Sequence, residues 1–312
     1  MSNTFKGILL AGCTGVMWAV TTPTTKLMWA EGVQIPAAVL TRMVVVSVCL
    51  CVWLSLKHPE DLRISSKDLF KLFLFSMLGP TGLYLGFMMS VVYLNPATAL
   101  VLHYTFPVVT ALCSSAVTGE RPKRCDWLGA VLVTVGVACS VLTPEWKLDT
   151  SIDIRGILWG VAAVAGLASQ TLLGRASFTK GGISNWAMFF YCHLFGTFWT
   201  SLYISLTGDW SCFSGLSGSA WVLILIPPVV VCLMGYSTYY KSLEYVSAPI
   251  ASLMASVEII GAVWITSALT RIPPTLPEIV GCLFIFSAIA LISISRYLEE
   301  RALVMQFTIH NS

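Results

Sequence analysis

The stretch GILLAGCTGVMWAVTTPTTKLMW, residues 7–29, decides the fold, because a weakened copy of it returns as GILWGVAAVAGLASQTLLGR at 156–175. Gly7-Ile8-Leu9 answers Gly156-Ile157-Leu158 and Lys26 answers Arg175, each 149 positions later. Further along, the lag settles at 152, pairing Tyr84 with Tyr236, Tyr93 with Tyr245, Ala99 with Ala251 and Gly129 with Gly281. A stable lag across successive apolar runs indicates a duplicated membrane unit, 7–143 and 156–293. Runs of about 20 apolar residues, the length that crosses roughly 30 Å of hydrocarbon, fall at 7–29, 36–56, 71–91, 97–117, 127–143, 156–174, 186–206, 220–240, 247–269 and 278–295. Five spans per copy is an odd number, so the second copy is expected to sit upside down. Two inverted copies facing each other are the architecture of a secondary transporter.

Composition sets the same class. Apolar types make up 56 % of the chain and charged residues 11 %, with a mean hydropathy of +0.81; soluble domains carry about 25 % charged residues. The first run is too long for a signal peptide and lacks a convincing cleavage site, so it is expected as a span. With the N-terminus inside, thirteen Lys and Arg fall in cytoplasmic segments. Lys26, Lys147, Arg155 and Arg271 fall outside, and Arg42 lies within a span. That positive-inside bias places both termini in the cytoplasm of an inner or plasma membrane. Arg121, Lys123 and Arg124 follow the fourth span, whereas Ile272-Pro273-Pro274-Thr275-Leu276 follows the ninth and has lost the basic charge. The two loops have the compositions that opposite sides demand.

Several chemistries find no support. The ten cysteines lie mostly inside spans, where cysteine acts as a small apolar residue, and no metal-ligand spacing is present. The four histidines are scattered, so no zinc helix is expected. There is no GxxxxGK[ST] phosphate loop, CxxC pair or GxSxG elbow. The expectation is a non-enzyme with no cofactor.

The motifs that follow are more specific. Gly15-Val-Met-Trp18 runs through Pro23 to Lys26; Arg42 follows Pro36; Asn95-Pro96-Ala97 leads through Phe106-Pro107 to Gly119-Glu120-Arg121-Pro122; Trp127-Leu128-Gly129 opens the fifth span. In this order and spacing they resemble the drug/metabolite transporter superfamily, specifically its EamA-type ten-helix members, over nearly the whole chain. The resemblance implies an all-α integral membrane fold: ten transmembrane helices as two inverted five-helix repeats, 1–147 and 148–312, around a central cavity. Spans 1, 3, 4, 6, 8 and 9 would line the cavity, with 5 and 10 outside as scaffold. It implies translocation, often export, of small polar metabolites such as amino acids. The second copy departs from the pattern. Glu258-Ile259 stands where the family commonly has Glu-Pro, which puts a kink in the ninth span in question, and Ile272 stands opposite Glu120. The lost loop glutamate suggests that Glu120 serves folding or helix ending.

Glu258 heads the candidate residues. Eleven residues past Ser247, it lies about mid-bilayer at 1.5 Å per residue. A carboxylate there costs several kcal/mol, about 2.5–3.5 on insertion scales, so it should face the bundle interior or water. An apolar surrounding favours the neutral form of a carboxylic acid. That suits a proton carrier, a counter-charge for a substrate amine, or a protonated acid bonded to a neighbouring helix. Arg42, about nine ångströms below the external end of its span, either snorkels, holds a substrate carboxylate, or pairs with Glu258 in one transport state. His103 lies at comparable depth, and His193 is expected to be peripheral and structural. Trp18, Tyr84 and Tyr236 are expected to line the cavity, offering stacking faces and hydrogen-bonding tips. Gln170 adds an uncharged polar group on the sixth span. Pro80, Pro107, Pro227 and Pro228 interrupt spans three, four and eight, where broken helices can act as gates.

The reading is a secondary active exporter of small polar metabolites, such as amino acids or amines, working by alternating access with protons as a coupling ion. The alternatives are a passive facilitator or uptake permease of the same fold, and a non-transporting membrane scaffold. Expected partners are a small-molecule substrate, the lipid bilayer and protons, with no nucleic acid, in a monomer or homodimer.

Overall fold

The computed structural model describes residues 2–94, 96–147 and 153–310. Among them every regular element is helical: α1 (Asn3–Trp18), α2 (Thr21–Ala30), α3 (Ile35–Lys57), α4 (Ser66–Ser76), α5 (Gly82–Tyr93), α6 (Pro96–His103), α7 (Phe106–Val117), α8 (Arg124–Ser140), α9 (Ile154–Lys180), α10 (Asn185–Thr207), α11 (Gly218–Pro227), α12 (Tyr236–Ser242), α13 (Ala248–Ala255), α14 (Val257–Thr270) and α15 (Leu276–His310). Short π-helical turns join α4 to α5 (Met77–Thr81) and α11 to α12 (Pro228–Gly235). The pairs α1–α2, α4–α5, α6–α7, α11–α12 and α13–α14 each continue as one interrupted rod. Eight helical segments are long and apolar enough to cross a membrane. The other two, α8 and α10, fall outside that set. At 17 residues α8 reaches about 26 Å, and α10 is rich in aromatic and hydroxyl residues. The boundary expected at 147/148 abuts residues 148–152, and Asn95 of the Asn95-Pro96-Ala97 motif also lies outside the described residues.

Three of the interruptions have one cause. A proline ring clashes with the carbonyl four residues before it and leaves that carbonyl without its N–H. Pro23 opposes Ala19, where α1 has just ended; Pro80 opposes Ser76, the last residue of α4; Pro107 opposes His103, the last residue of α6. The ninth rod also breaks, at Ser256 between α13 and α14, although no proline is present. There the hydroxyls of Ser252 and Ser256 turn back onto the carbonyls of Pro249 (2.8 Å) and Ser252 (3.4 Å), a competition that bends helices. The missing proline therefore does not straighten this rod.

Packing follows the glycines. The N-terminal half of the first rod, α1, lies on α12, α13 and α14, α5 on α9, α7 on α9 and α13, and α3 on α10, while α8 and α15 pack chiefly on each other. In the last pair, a Cβ on Gly136 or Gly281 would run into the other's carbonyl oxygen; small residues let membrane helices approach this closely.

Candidate substrate site

The interior polar groups gather around one tyrosine. Arg42 projects from α3 over the ring of Tyr84 on α5, 4.6 Å from its centroid. The Tyr84 hydroxyl reaches Cys232 Sγ at 3.5 Å and neighbours the Tyr236 hydroxyl. Among the described residues no carboxylate lies within 4.0 Å of the Arg42 guanidinium, although every other close acid–base pair is formed at one end of the bundle or the other. The half-buried guanidinium thus meets the Tyr84 ring and, among the described residues, no counter-ion.

Tyr236, at the start of α12, is the hub. Its ring meets Trp18 at 4.9 Å, Tyr84 edge-on at 6.2 Å, Phe189 at 5.9 Å and Tyr240 at 6.2 Å. Tyr240 bonds Gln170 Oε1 at 3.5 Å and Tyr239 bonds Thr171 at 3.0 Å. Trp18, Tyr84, Gln170 and Tyr236 are 5 %, 7 %, 3 % and 4 % exposed. They form a packed aromatic wall and not the lining of an open chamber.

Tyr236 is within electrostatic reach of both Glu258 and Arg42, and among the described residues no ion pair joins the two. The place of Glu258 is set by the close approach of α1: a Cβ on Gly15 would lie 2.5 Å from Ala255 O and 2.9 Å from Glu258 N. The Tyr104 hydroxyl is its nearest polar neighbour, outside the geometry of a well-formed hydrogen bond. His103, beside Tyr104, is boxed by Phe87 (4.7 Å), Tyr104 (5.6 Å) and Phe106 (6.0 Å). Arg42, His103 and Glu258 are half-buried, unlike the aromatic wall. Pro107 is buried at the start of α7 and acts on the site through the break after His103.

Buried polar atoms without partners mark the same region: Trp18 Nε1, Gln170 Nε2, His103 Nδ1, Tyr104 Oη and His193 Nε2. Orphaned buried groups are rare in native proteins and each calls for an explanation. His193 is the residue that sequence reading misplaced. Expected at the periphery, it is 1 % exposed with its ring 6.0 Å from Tyr84. Gly196 is what brings α10 inward, since its Cβ position lies 3.0 Å from Met43 Sδ, next to Arg42. A histidine one helical turn before a glycine on an otherwise aromatic span was the available signal. A separate crevice of about 170 Å³ between α14 and α15, lined by Ile260, Trp264, Cys282 and Phe286, is apolar and plays no part in this arrangement.

Comparison with known proteins agrees with the fold and the duplication. The model of the EamA-like transporter family matches residues 5–142 and again 154–294. The uncharacterized inner membrane transporter YicL of Salmonella typhimurium is 22 % identical over 309 residues, covering 97 % of this chain and 100 % of its own. A protein of known crystal structure superposes with a TM-score of 0.75 at 16 % identity, over 94 % of this chain and 98 % of that one.

Proposed function

The chain belongs to the EamA-like transporter family, and on that footing we propose that it is a secondary active exporter of small polar metabolites that carry a carboxylate, amino acids foremost. It is an integral membrane transporter, and the inner-membrane relative places it in the inner or plasma membrane. The proposed architecture is ten spans in two inverted five-helix repeats, 1–147 and 148–312, with both termini cytoplasmic. Support comes from the two family matches, the repeat lag and the excess of basic residues in the assigned cytoplasmic segments.

One observation carries the substrate reading: Arg42, half-buried in the bundle, set against the Tyr84 ring and without a carboxylate partner among the described residues. A guanidinium presents a fork of donors that fits a carboxylate bidentately, and placing that charge in the membrane without function is costly. The substrate carboxylate binds Arg42, and Tyr84, Tyr236 and Trp18 pack against its apolar part. Glu258 exchanges a proton with the outside during the return step. Alternating access proceeds at the interruptions of the rods, where few backbone hydrogen bonds must break. His103 and Gln170 complete the polar lining.

The test is Glu258→Gln in proteoliposomes under an imposed pH gradient. The variant should insert normally and lose pH-driven flux; undiminished flux would remove Glu258 from the mechanism. Accumulation of solute against its gradient separates a coupled carrier from a facilitator of the same fold.

A further inference from the structure

We propose that His193 is a specificity-determining residue of this site: a hydrogen-bond acceptor beside the donors of Arg42, selecting carboxylates that bear an N–H or O–H on the neighbouring carbon. The inference deepens the function proposed above and rests on Arg42 holding the substrate carboxylate.

The tautomer is set by the backbone. His193 Nδ1 lies 2.8 Å from Phe189 O, and a carbonyl oxygen only accepts, so Nδ1 carries the hydrogen. In the neutral ring Nε2 is then a bare lone pair. The groups packed around it are the rings of Phe189 (4.9 Å, edge-on) and Tyr84 (6.0 Å), and Arg42 lies within electrostatic reach. None of these is an anion that would call for a protonated ring. His193 is 1 % exposed, and its Nε2 finds no donor among the described residues. Arg42, whose charge reaches His193, lies over the Tyr84 ring. Gly196 holds α10 close to Met43 and to Thr81, whose hydroxyl lies 3.3 Å from the glycine's Cβ position. The lone pair therefore cannot retreat from the site without separating α10 from α3.

This pole of the chamber thus combines a cationic donor fork with one acceptor. A plain carboxylate satisfies the fork and leaves the acceptor bare. An α-amino or α-hydroxy carboxylate satisfies both, because its donor sits one carbon from the carboxylate. A site built to bond an N–H or O–H discriminates strongly against the analogue that lacks it, since its own buried group then stays unpaired.

The experiment measures ligand-induced thermal stabilisation of the full-length, detergent-purified protein with three probes of one carbon skeleton: L-leucine, 2-hydroxy-4-methylpentanoate and 4-methylpentanoate. The wild type should bind the first two at least about tenfold more tightly than the third. His193→Phe should bind all three at the weak level, and His193→Gln, which restores an acceptor near Nε2, should recover part of the preference. Equal wild-type affinity for all three probes overturns the role of His193 and leaves the carboxylate reading standing, a result that needs no variant to fold. A preference that survives in His193→Phe overturns it as well. If none of the three binds, the amino-acid reading itself fails and takes this inference with it.

Discussion

At the end of the bundle that carries Arg175, one guanidinium ties three rods together. Its Nε donates to both oxygens of Glu120 (3.1 and 3.2 Å), Nη2 to Oε1 of the same group (2.5 Å), and Nη1 to Leu243 O (2.6 Å). Beside it Lys180 caps Val117 O at 2.6 Å, and Arg296 grips Asp126 at 2.5 Å with both side chains nearly buried. The opposite end is held by exposed groups: Glu31 accepts from Ser217 (2.8 Å) and Ser219 (2.6 Å), and Arg155 pairs with Asp153 two residues away and lies over the Tyr93 ring at 4.4 Å. Where the repeat would place a second glutamate, Ile272 stands exposed. One end is therefore clasped by charge-assisted bonds between segments distant in sequence, which are roughly twice as strong as neutral ones. The other is fastened by contacts of the kind that contribute little in water. In the proposed topology the clasped end is cytoplasmic.

This contrast can be broken by substitution, and the largest effect is expected from Asp126→Ala. It leaves Arg296, 9 % exposed, with Glu299 at 3.0 Å as its remaining carboxylate and removes the acceptor of Lys123 N–H, and should cost about 3 kcal/mol of unfolding free energy; a change below about 1 kcal/mol would mean that water replaces the carboxylate. Arg175→Gln should cost about 1.5–3 kcal/mol. It should also speed maleimide labelling of Cys232, which touches Tyr84 in the interior, in a background lacking the other cysteines. Labelling unchanged from the wild-type rate would show that packing, not Arg175, closes this end. Between the two ends the tie is steric. Gly15→Ala should cost about 1–3 kcal/mol by pushing α1 from the Glu258 backbone, whereas Gly12, whose Cβ position meets nothing within 4 Å, should tolerate alanine or gain up to about 1 kcal/mol. Equal melting of the two variants would disprove the close contact.

The smallest effect belongs to Glu31→Gln, which should melt slightly below the wild type at neutral pH. Hydrogen bonds from Ser219 and then Ser217 hold the Glu31 carboxyl below the usual carboxylate range. A depressed value in the folded state means that its contribution is complete above the unfolded value, about 4.3, and is lost as the pH falls through the folded one. Variant and wild type should thus differ by a small, constant amount between about pH 5 and 8 and converge in acid, where the wild-type carboxyl is protonated. A difference that changes between about pH 5 and 8 would show that another group titrates at this end.

Much of the fold was legible because hydropathy and proline act locally. Spans three and four break four residues before Pro80 and Pro107, as a ring without an N–H requires, and the first span does the same before Pro23. Glu258, Arg42, Tyr84 and Tyr236 stood out because polar groups are costly in hydrocarbon. Less visible was how far those groups are packed against one another. Trp18, Tyr84 and Tyr236 close into a wall, Arg42 sits on Tyr84 without pairing to Glu258, and Glu120, read as serving folding or helix ending, binds Arg175.

The amino-acid sequence by itself determined a membrane protein of apolar rods, since hydropathy over about 20 residues depends only on residues near in the chain. Only the tertiary structure decided which faces meet. The rotation of a helix about its axis is set by contacts with other helices, such as Gly15 on Glu258 and Gly196 on Met43. Those contacts turn His193 inward. No single span's pattern carries that information, because a helix surrounded by lipid and protein is apolar on every side.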